Sequence, residues 1–297
     1  SLLYCHSAGG HGLAFHHGLR PFAASPGNPQ ASQTALVFTG VSMKEIHISN
    51  AALRAEVDLI TGASESDVVV VGSGIAGLTA AMHLSRVGLK TTMVDGRPYL
   101  GGRCWERRVL AVEDPGLLED FHVRSHESET DRACTVFAVD LAIGLLSAAR
   151  SAGVCMINGA DVCDLIVRED RVRGLLLAGM PAGTEAAPDA APGPCLAGRA
   201  VVDATGHDAT LVGLLRSKLK DFYPGDVGES FVDAESSCGR LVERTGEVYP
   251  GLYVAGMSAA AIYHLPRAAV LVDGLLASGE RAAEIIAADL TDQQNPE

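Results

Sequence analysis

Basic residues are scarce in this chain, and their scarcity excludes one class of partner. Lys and Arg number 23 against 36 Asp and Glu, which gives a net charge of −13 over 297 residues. A protein that binds nucleic acid needs a basic surface to neutralise phosphates, so no nucleic-acid partner is expected. A small anionic ligand is still compatible with this charge, because glycine loops and helix ends can hold one locally.

Long apolar runs and paired cysteines are also missing. No apolar run reaches the roughly 18 residues of a transmembrane helix, so no membrane partner is expected. The seven cysteines are scattered, without any C-x-x-C pair. Such a pattern suits a reducing compartment better than a disulfide framework. We therefore predict a cytoplasmic protein, whose 47% of apolar residues suffices for a sizeable core.

Two segments differ in composition from the rest. Residues 1–42 are rich in Gly, Ala, His, Ser and Pro and carry no acid, and we interpret them as a non-native or flexible leader. Residues 43–297 are predicted to form a single Rossmann-like domain with an inserted β-meander. Residues 179–198 are rich in Pro, Gly and Ala, which predicts a mobile loop.

The clearest motif lies between Asp67 and Asp95. The β-branched run 68–71 is typical of a strand buried on both faces, and G-x-G-x-x-G follows at Gly72, Gly74 and Gly77. A helix is predicted over 78–86. A second apolar run then ends on Asp95, about 20 residues after the glycines, as in a dinucleotide-binding βαβ unit.

Each residue type in this motif has a physical reason. Gly72 permits the tight turn, Gly74 lets the backbone approach a pyrophosphate, and Gly77 lets the helix lie close to the strand. Asp95 would accept hydrogen bonds from ribose hydroxyls, and its charge disfavours a 2′-phosphate. The motif therefore predicts NAD or FAD rather than NADP, and does not distinguish the first two.

The remaining pattern completes an α/β fold. Helices are predicted at 136–152 and 268–290, and strands at 154–157, 165–167, 172–178, 200–204 and 248–255. Glu169 and Asp170 are expected to form a hairpin turn, while Gly274 and Gly279 would be weak points of the last helix. The order predicts a Rossmann-like dinucleotide-binding fold of the FAD/NAD(P)-binding type. Its central sheet would be mainly parallel, with a smaller antiparallel excursion.

The late strand argues against an ordinary flavoenzyme. In many flavoproteins this strand ends in Gly-Asp, whose carboxylate contacts the ribityl chain. Here the segment reads LYVAGM, with Met257 in place of that aspartate. A thioether accepts hydrogen bonds only weakly, so FAD is the alternative cofactor and an FAD-dependent oxidoreductase the alternative function.

Several blocks in one order resemble a known family, the thiamine thiazole synthases, and especially their archaeal sulfide-using branch. The blocks are KEIHIS, SDVVVVGSGIAGLTAA, VCDLIVREDRVRG, VVDATGHDA, EVYPGLYVAGM and SGERAAEII. The resemblance covers roughly residues 43–297. It implies an enzyme of the transferase class that takes NAD as substrate and removes the nicotinamide. An ADP-thiazole for thiamine biosynthesis is then built from the ADP-ribose, glycine and a sulfur source, with iron assisting and a homo-oligomer, commonly an octamer, as the assembly.

The resemblance also implies roles for individual residues. His207 matches an iron ligand, and Arg267 matches the arginine that grips the glycine carboxylate, so both are candidate catalytic residues. Imidazole is a good iron ligand, and a guanidinium fork binds a carboxylate in bidentate fashion. Val162 matches a residue that lines the adenine, and Met257 matches a residue beside the NAD-derived intermediate. The candidate cofactor-binding residues are Gly72, Gly74, Ala76, Gly77, Asp95, Gly102, Val162 and Met257.

Three departures from the family concern the sulfur and metal step. Arg103 replaces the third glycine of the loop that continues from Gly102, and would take room used by the cofactor or the loop. Before TGHD, Asp189 is the candidate displaced metal ligand and Cys195 the candidate displaced sulfur donor, so free sulfide and Cys195 both stay open. The run after Pro266 lacks the family's glycine and second proline. A non-catalytic protein that binds NAD or ADP-ribose is therefore a second alternative.

Overall fold

The computed structural model describes residues 44–127, 134–178, 193–219, 222, 226–267 and 271–292. Within them the helices are α1 (Glu45–Ala63), α2 (Ile75–Arg86), α3 (Ala138–Ser151), α4 (Thr210–Lys218), α5 (Ala234–Glu243), α6 (Met257–Ile262) and α7 (Asp273–Asp292). The strands are β1 (Glu65–Val71), β2 (Thr91–Asp95), β3 (Val109–Val112), β4 (His126–Glu127), β5 (Cys134–Phe137), β6 (Cys155–Asn158), β7 (Val162–Arg168), β8 (Arg171–Leu177), β9 (Cys195–Asp203), β10 (Gly246–Tyr249) and β11 (Leu252–Val254). Short 3₁₀ helices span Gly102–Glu106 and Pro115–Phe121. The predicted leader, 1–42, lies outside the described residues.

The central sheet has the order β10-β11-β9-β1-β2-β6. From β11 to β6 all neighbours are parallel, whereas β10 runs antiparallel to β11. The hairpin β7–β8 joins through β8, which pairs antiparallel with the first residues of β9. The predicted mainly parallel sheet with an antiparallel excursion is therefore confirmed.

The middle strand β1 is covered on both faces, as its valine run indicates. Val68 and Val70 belong to one apolar cluster, and Val69 and Val71 belong to a second. The first cluster includes residues of α2, α3 and α7, and the second includes residues of α4, α6 and the β7–β8 hairpin. Alternate side chains of a strand point to opposite faces, so the sheet is the middle of three layers. Among the described helices, none is both long and apolar enough to cross a membrane.

The prediction of a helix over 136–152 is wrong at its start. Val136 and Phe137 belong to β5, and α3 begins only at Ala138. β5 pairs antiparallel with both β3 and β4 in a small second sheet. The apolar spacing of the segment suits a helix, but cross-strand pairing with distant residues decides its conformation.

Two further boundaries are corrected by the structure. The predicted single strand 248–255 is two strands, because Pro250 and Gly251 make the turn between β10 and β11. Gly251 has φ +78°, a backbone conformation that suits glycine. The predicted mobile loop 179–198 is also too long, since β9 begins at Cys195 and pairs with β8 there; residues 179–192 lie outside the described part.

The glycines of the last helix are close-packing sites rather than weak points. A Cβ on Gly279 would lie 2.4 Å from the carbonyl oxygen of Ala76 in α2, and one on Gly274 would lie 3.0 Å from Cys238. Helix α7 therefore approaches the start of α2 at backbone distance. Since α2 starts at the glycine turn, this contact supports the end of the fold that carries the turn.

We expect Gly279→Ala to lower the free energy of unfolding by about 1–3 kcal/mol, the usual cost of overpacking. Urea denaturation of the purified variant measures the change. The matched control is Gly213→Ala within α4, where an added Cβ meets nothing within 4 Å. There the better helix propensity of alanine should be neutral or stabilising by up to about 1 kcal/mol. Equal midpoints for the two variants would contradict the packing argument.

Candidate active site

A cavity of about 950 Å³ opens where the parallel strands end. Gly72, Asp95, Ala204 and Ala255, which end or follow β1, β2, β9 and β11, all line it. Open α/β sheets bind their ligands at this edge. The candidate residues that line it are Gly72, Gly74, Ala76, Asp95, Gly102, Val162, His207, Met257 and Arg267. Of the remaining candidates, Gly77 packs beneath the turn, and Asp189 lies outside the described residues.

The glycine turn is as tight as the motif predicts. Gly72 has φ +103°, and a Cβ there would lie 2.2 Å from the carbonyl oxygen of Ala204. A Cβ on Gly77 would lie 2.0 Å from the carbonyl oxygen of Gly72. Helix α2 follows with Gly74 as its N-cap and no side chain capping it. Its first N–H groups are therefore available to an anionic ligand in the cavity.

Asp95 is held rigidly at the end of β2. Its Oδ2 accepts from the backbone N of Ser73 at 2.8 Å and from the Ser73 hydroxyl at 2.6 Å. Its Oδ1 accepts from the backbone N of Arg97 at 2.9 Å. A carboxylate oxygen can accept two hydrogen bonds, so Oδ1 retains capacity for a ribose hydroxyl. Sequence reasoning missed Ser73, whose only signal was a hydroxyl residue between the first two glycines.

The loop after β2 packs against the glycine turn. Gly102 has φ +57°, and a Cβ there would approach the Cα of Gly74 to 2.7 Å. Ser73 Oγ also accepts from the N–H of Gly101 at 3.0 Å. Arg103 lines the cavity, but its side chain is 54% exposed and pairs with Glu106 at 3.1 Å. Arg103 therefore stands at the rim of the cavity and not between the loop and the turn.

Cys104, in the same loop, is a structural thiol. Burial raises its pKa to about 11, and the nearby Arg107 offsets this only in part. At neutral pH the side chain is therefore protonated and poorly nucleophilic.

A buried carboxylate, Asp203, fixes the turn that carries His207. Oδ1 accepts from the N–H and hydroxyl of Thr205, at 3.1 and 2.7 Å, and from the Ser258 hydroxyl at 3.0 Å. Oδ2 accepts from the first N–H groups of α4, those of Leu211 at 2.9 Å and Val212 at 3.1 Å. Asp203 is fully buried, and these donors replace the water it loses.

His207 and Arg267 meet at a third side chain that sequence reasoning missed, Glu229. One carboxylate oxygen of Glu229 bonds Nδ1 of His207, and the other accepts from Nε of Arg267 at 2.7 Å. The Glu229 side chain is only 3% exposed, whereas those of His207 and Arg267 are 39% and 56% exposed. Glu229 lies in a segment without strand or helix pattern, and no sequence signal marks it.

The described residues do not by themselves complete an iron site. No group of three or more His, Cys, Asp and Glu side chains with metal-binding geometry occurs among them. Near the cavity, His207 has one ring nitrogen left, because Nδ1 faces Glu229. Both oxygens of Glu229 are already bonded to protein groups.

Comparison with known proteins gives the family of this chain. The family model described as "Thi4 family" matches residues 49–271. The chain belongs to the Thi4 family. The thiamine thiazole synthase of Pyrobaculum aerophilum is 37% identical over 83% of this chain and 96% of its own length. The thiamine thiazole synthase of Archaeoglobus fulgidus is 35% identical over 86% of this chain and 98% of its own length. The crystal structure of THI4 from Thermovibrio ammonificans has a TM-score of 0.76 and 29% identity, and covers 84% of this chain and 99% of its own.

Cys195 is poorly placed to act as a sulfur donor for its own chain. It is the first residue of β9, whose last residue, Asp203, adjoins the cavity-lining turn at Ala204. At about 3.3 Å per residue, the two ends of this strand are about 26 Å apart. Cys195 is exposed and is not among the residues lining the cavity. The structure therefore does not bring Cys195 to the cavity of its own chain.

We expect Asp203→Asn to destabilise the protein by about 1–3 kcal/mol, the cost of leaving buried donors unpaired. Both oxygens of Asp203 accept hydrogen bonds. In either orientation of the asparagine side chain, its NH₂ group would therefore face N–H or hydroxyl donors. Thermal and urea unfolding measure the effect. Asp170→Asn, in the exposed β7–β8 turn at φ +54°, is the matched control and should stay within about 0.5 kcal/mol of the original protein. A similar midpoint for both variants would refute the role of Asp203.

Proposed function

We propose that this chain is a thiamine thiazole synthase-like enzyme that binds NAD as a substrate and combines its ADP-ribose part with glycine and sulfur. The observation that carries the proposal is that one cavity joins the glycine turn and Asp95 to His207 and Arg267. Relatives named thiamine thiazole synthase, at 35–37% identity over most of the chain, support it.

The nucleotide half of the proposal rests on the βαβ unit. The uncapped start of α2 would receive the pyrophosphate, and Oδ1 of Asp95 would accept from the adenosine ribose. Val162, at the start of β7, lines the same cavity and would contact the adenine. These groups recognise ADP-ribose and leave the nicotinamide end directed to the rest of the cavity.

The glycine half rests on Arg267. Its Nε is bonded to Glu229, so its two terminal NH₂ groups are left to bind the glycine carboxylate. Met257, at the start of α6, also lines the cavity and offers only a weak acceptor, which suits an NAD-derived intermediate better than a ribityl chain. Met257 therefore favours NAD over the FAD alternative.

The sulfur and iron requirements extend beyond the described residues. His207 offers one ring nitrogen, and a bound iron would need further ligands; Asp189 is the candidate from the sequence. Free sulfide is the proposed sulfur source, because Cys195 is at the far end of β9. The transferase class and a cytoplasmic location belong to the same proposal, and the free cysteines of the described residues support the latter.

The proposal is tested by incubating the purified protein anaerobically with NAD, glycine, sulfide and ferrous iron. We expect nicotinamide to be released and an ADP-thiazole to be found by mass spectrometry. Asp95→Asn should weaken NAD binding about 10-fold or more, because the carboxylate fixes the turn and binds the ribose. Asp170→Asn is the matched control and should bind NAD normally. A chelator should leave NAD binding unchanged, since no metal ligand is proposed in the nucleotide half.

Two results would contradict the proposal. A yellow protein that retains flavin and releases no nicotinamide would favour the FAD-dependent oxidoreductase. Reversible NAD binding by calorimetry, without turnover in any combination of the four reagents, would favour a non-catalytic nucleotide-binding protein.

We also propose that the enzyme is a homo-oligomer, an octamer by family resemblance. Leu53 and Val57 of α1, 58% and 61% exposed, lie one helical turn apart, and a second copy would bury them. Val57→Glu should lower the oligomer size measured by analytical ultracentrifugation. Ala55→Glu adds the same charge on the opposite side of the helix and should leave that size unchanged. A monomeric original protein would contradict this proposal.

A further inference from the structure

We propose that Glu229 is the positioning residue of this site: one buried carboxylate orients both the His207 imidazole and the Arg267 guanidinium towards the substrates. The inference rests on the proposed function, which assigns those substrates, and adds a residue that no sequence motif indicates. Glu229 itself does not line the cavity, whereas both of its partners do. It therefore acts through them.

The first support is the way Glu229 is used. Its side chain is almost fully buried, and its two oxygens go to two different partners that approach from separate parts of the chain. A buried carboxylate is costly unless every oxygen is bonded. Both partners line the cavity while Glu229 does not, so one buried carboxylate bonds two cavity-lining residues at once.

The second support is the backbone that carries Glu229. Its neighbours run alongside the segment that leads to Arg267: Gly228 N–H donates to Ala261 O at 2.9 Å and Ser230 N–H donates to Leu265 O at 3.0 Å. The N–H of Arg267 donates to the carbonyl of Phe231 at 3.1 Å. Glu229 and Arg267 therefore lie on paired stretches of backbone, and their separation is fixed.

The contact decides which nitrogen of His207 is free. Nδ1 of His207 is the ring nitrogen bonded to Glu229. Nε2 is therefore the ring nitrogen left for a ligand in the cavity. The turn that bears His207 is anchored independently by Asp203, so Glu229 adds the orientation of the ring.

The contact also decides which edge of Arg267 is free. A guanidinium can meet a carboxylate with Nε and one terminal nitrogen, or with both terminal nitrogens. Glu229 occupies Nε, which leaves the terminal pair for a substrate carboxylate.

The test compares Glu229→Gln and Glu229→Asp with the original enzyme in the four-reagent assay. A glutamine has one acceptor and one donor group, so it can satisfy only one of the two partners. We expect the KM for glycine to rise and kcat to fall, each about 10- to 100-fold, as for other residues that orient ligating groups. Glu229→Asp keeps the charge and should recover part of the loss. Glu243→Gln, an exposed carboxylate at the end of α5, is the matched control and should change neither constant.

A double-mutant comparison separates positioning from a general loss of structure. Arg267→Lys should raise the KM for glycine by itself, because a lysine cannot offer the fork. If Glu229 acts through Arg267, adding Glu229→Gln to that variant should change this KM less than twofold. A double variant whose KM for glycine rises by the product of the two single increases would overturn the inference.

Crystal structures of the original protein and of Glu229→Gln give a readout that does not depend on turnover. We expect the His207 ring and the Arg267 guanidinium to change rotamer in the variant while the backbone stays in place. Unchanged orientations would overturn the inference, as would normal kinetic constants. An original protein that consumes no NAD would refute the proposed function, and the positioning claim would still be decided by these two structures.

Discussion

The candidate site depends on the carboxylate of Asp203, which is not among the residues that line the cavity. Its donors come from the turn after β9, from the first residues of α4 and from Ser258 in α6, and all of them are neutral. The buried charge is stabilised by the N-terminal end of α4, where free N–H groups favour an anion. One side chain therefore fixes the turn of His207 relative to the helix of Met257.

The glycine turn and the loop after β2 form one wall of the cavity in this Thi4-family chain. The glycine turn at the end of β1, Asp95 at the end of β2 and the start of α2 line the cavity together with Gly102 of that loop, whose backbone packs against Gly74. Arg103 follows Gly102 in this loop, and its exposed side chain pairs with Glu106 at the rim of the cavity. The described part of the chain thus brings Asp95, His207 and Arg267 to one cavity, and no metal-binding group of three or more side chains occurs among these described residues.

Local pattern was reliable where the contacts are themselves local. The strand, glycine turn, helix and second strand of 67–95 are observed, because the close approaches that require glycine occur within the unit or against the next strand end. Prediction from local pattern failed where contacts with distant residues decide the conformation. Val136 and Phe137 have helical spacing but pair with β3. Gly279 looked like a weak point of its helix, whereas the close approach of Ala76 in α2 leaves no room for a side chain there.

The sequence by itself determined the fold class, the dinucleotide-binding unit and the family, since each follows from short-range periodicity or from blocks in a recognisable order. Only the tertiary structure brought Glu229 to His207, 22 residues away, and to Arg267, 38 residues away. A glutamate in an irregular segment is normally solvated, and nothing in its neighbours marks it as buried. Its function as the link between the two candidate catalytic residues arises from burial and bonding, which are properties of the folded chain alone.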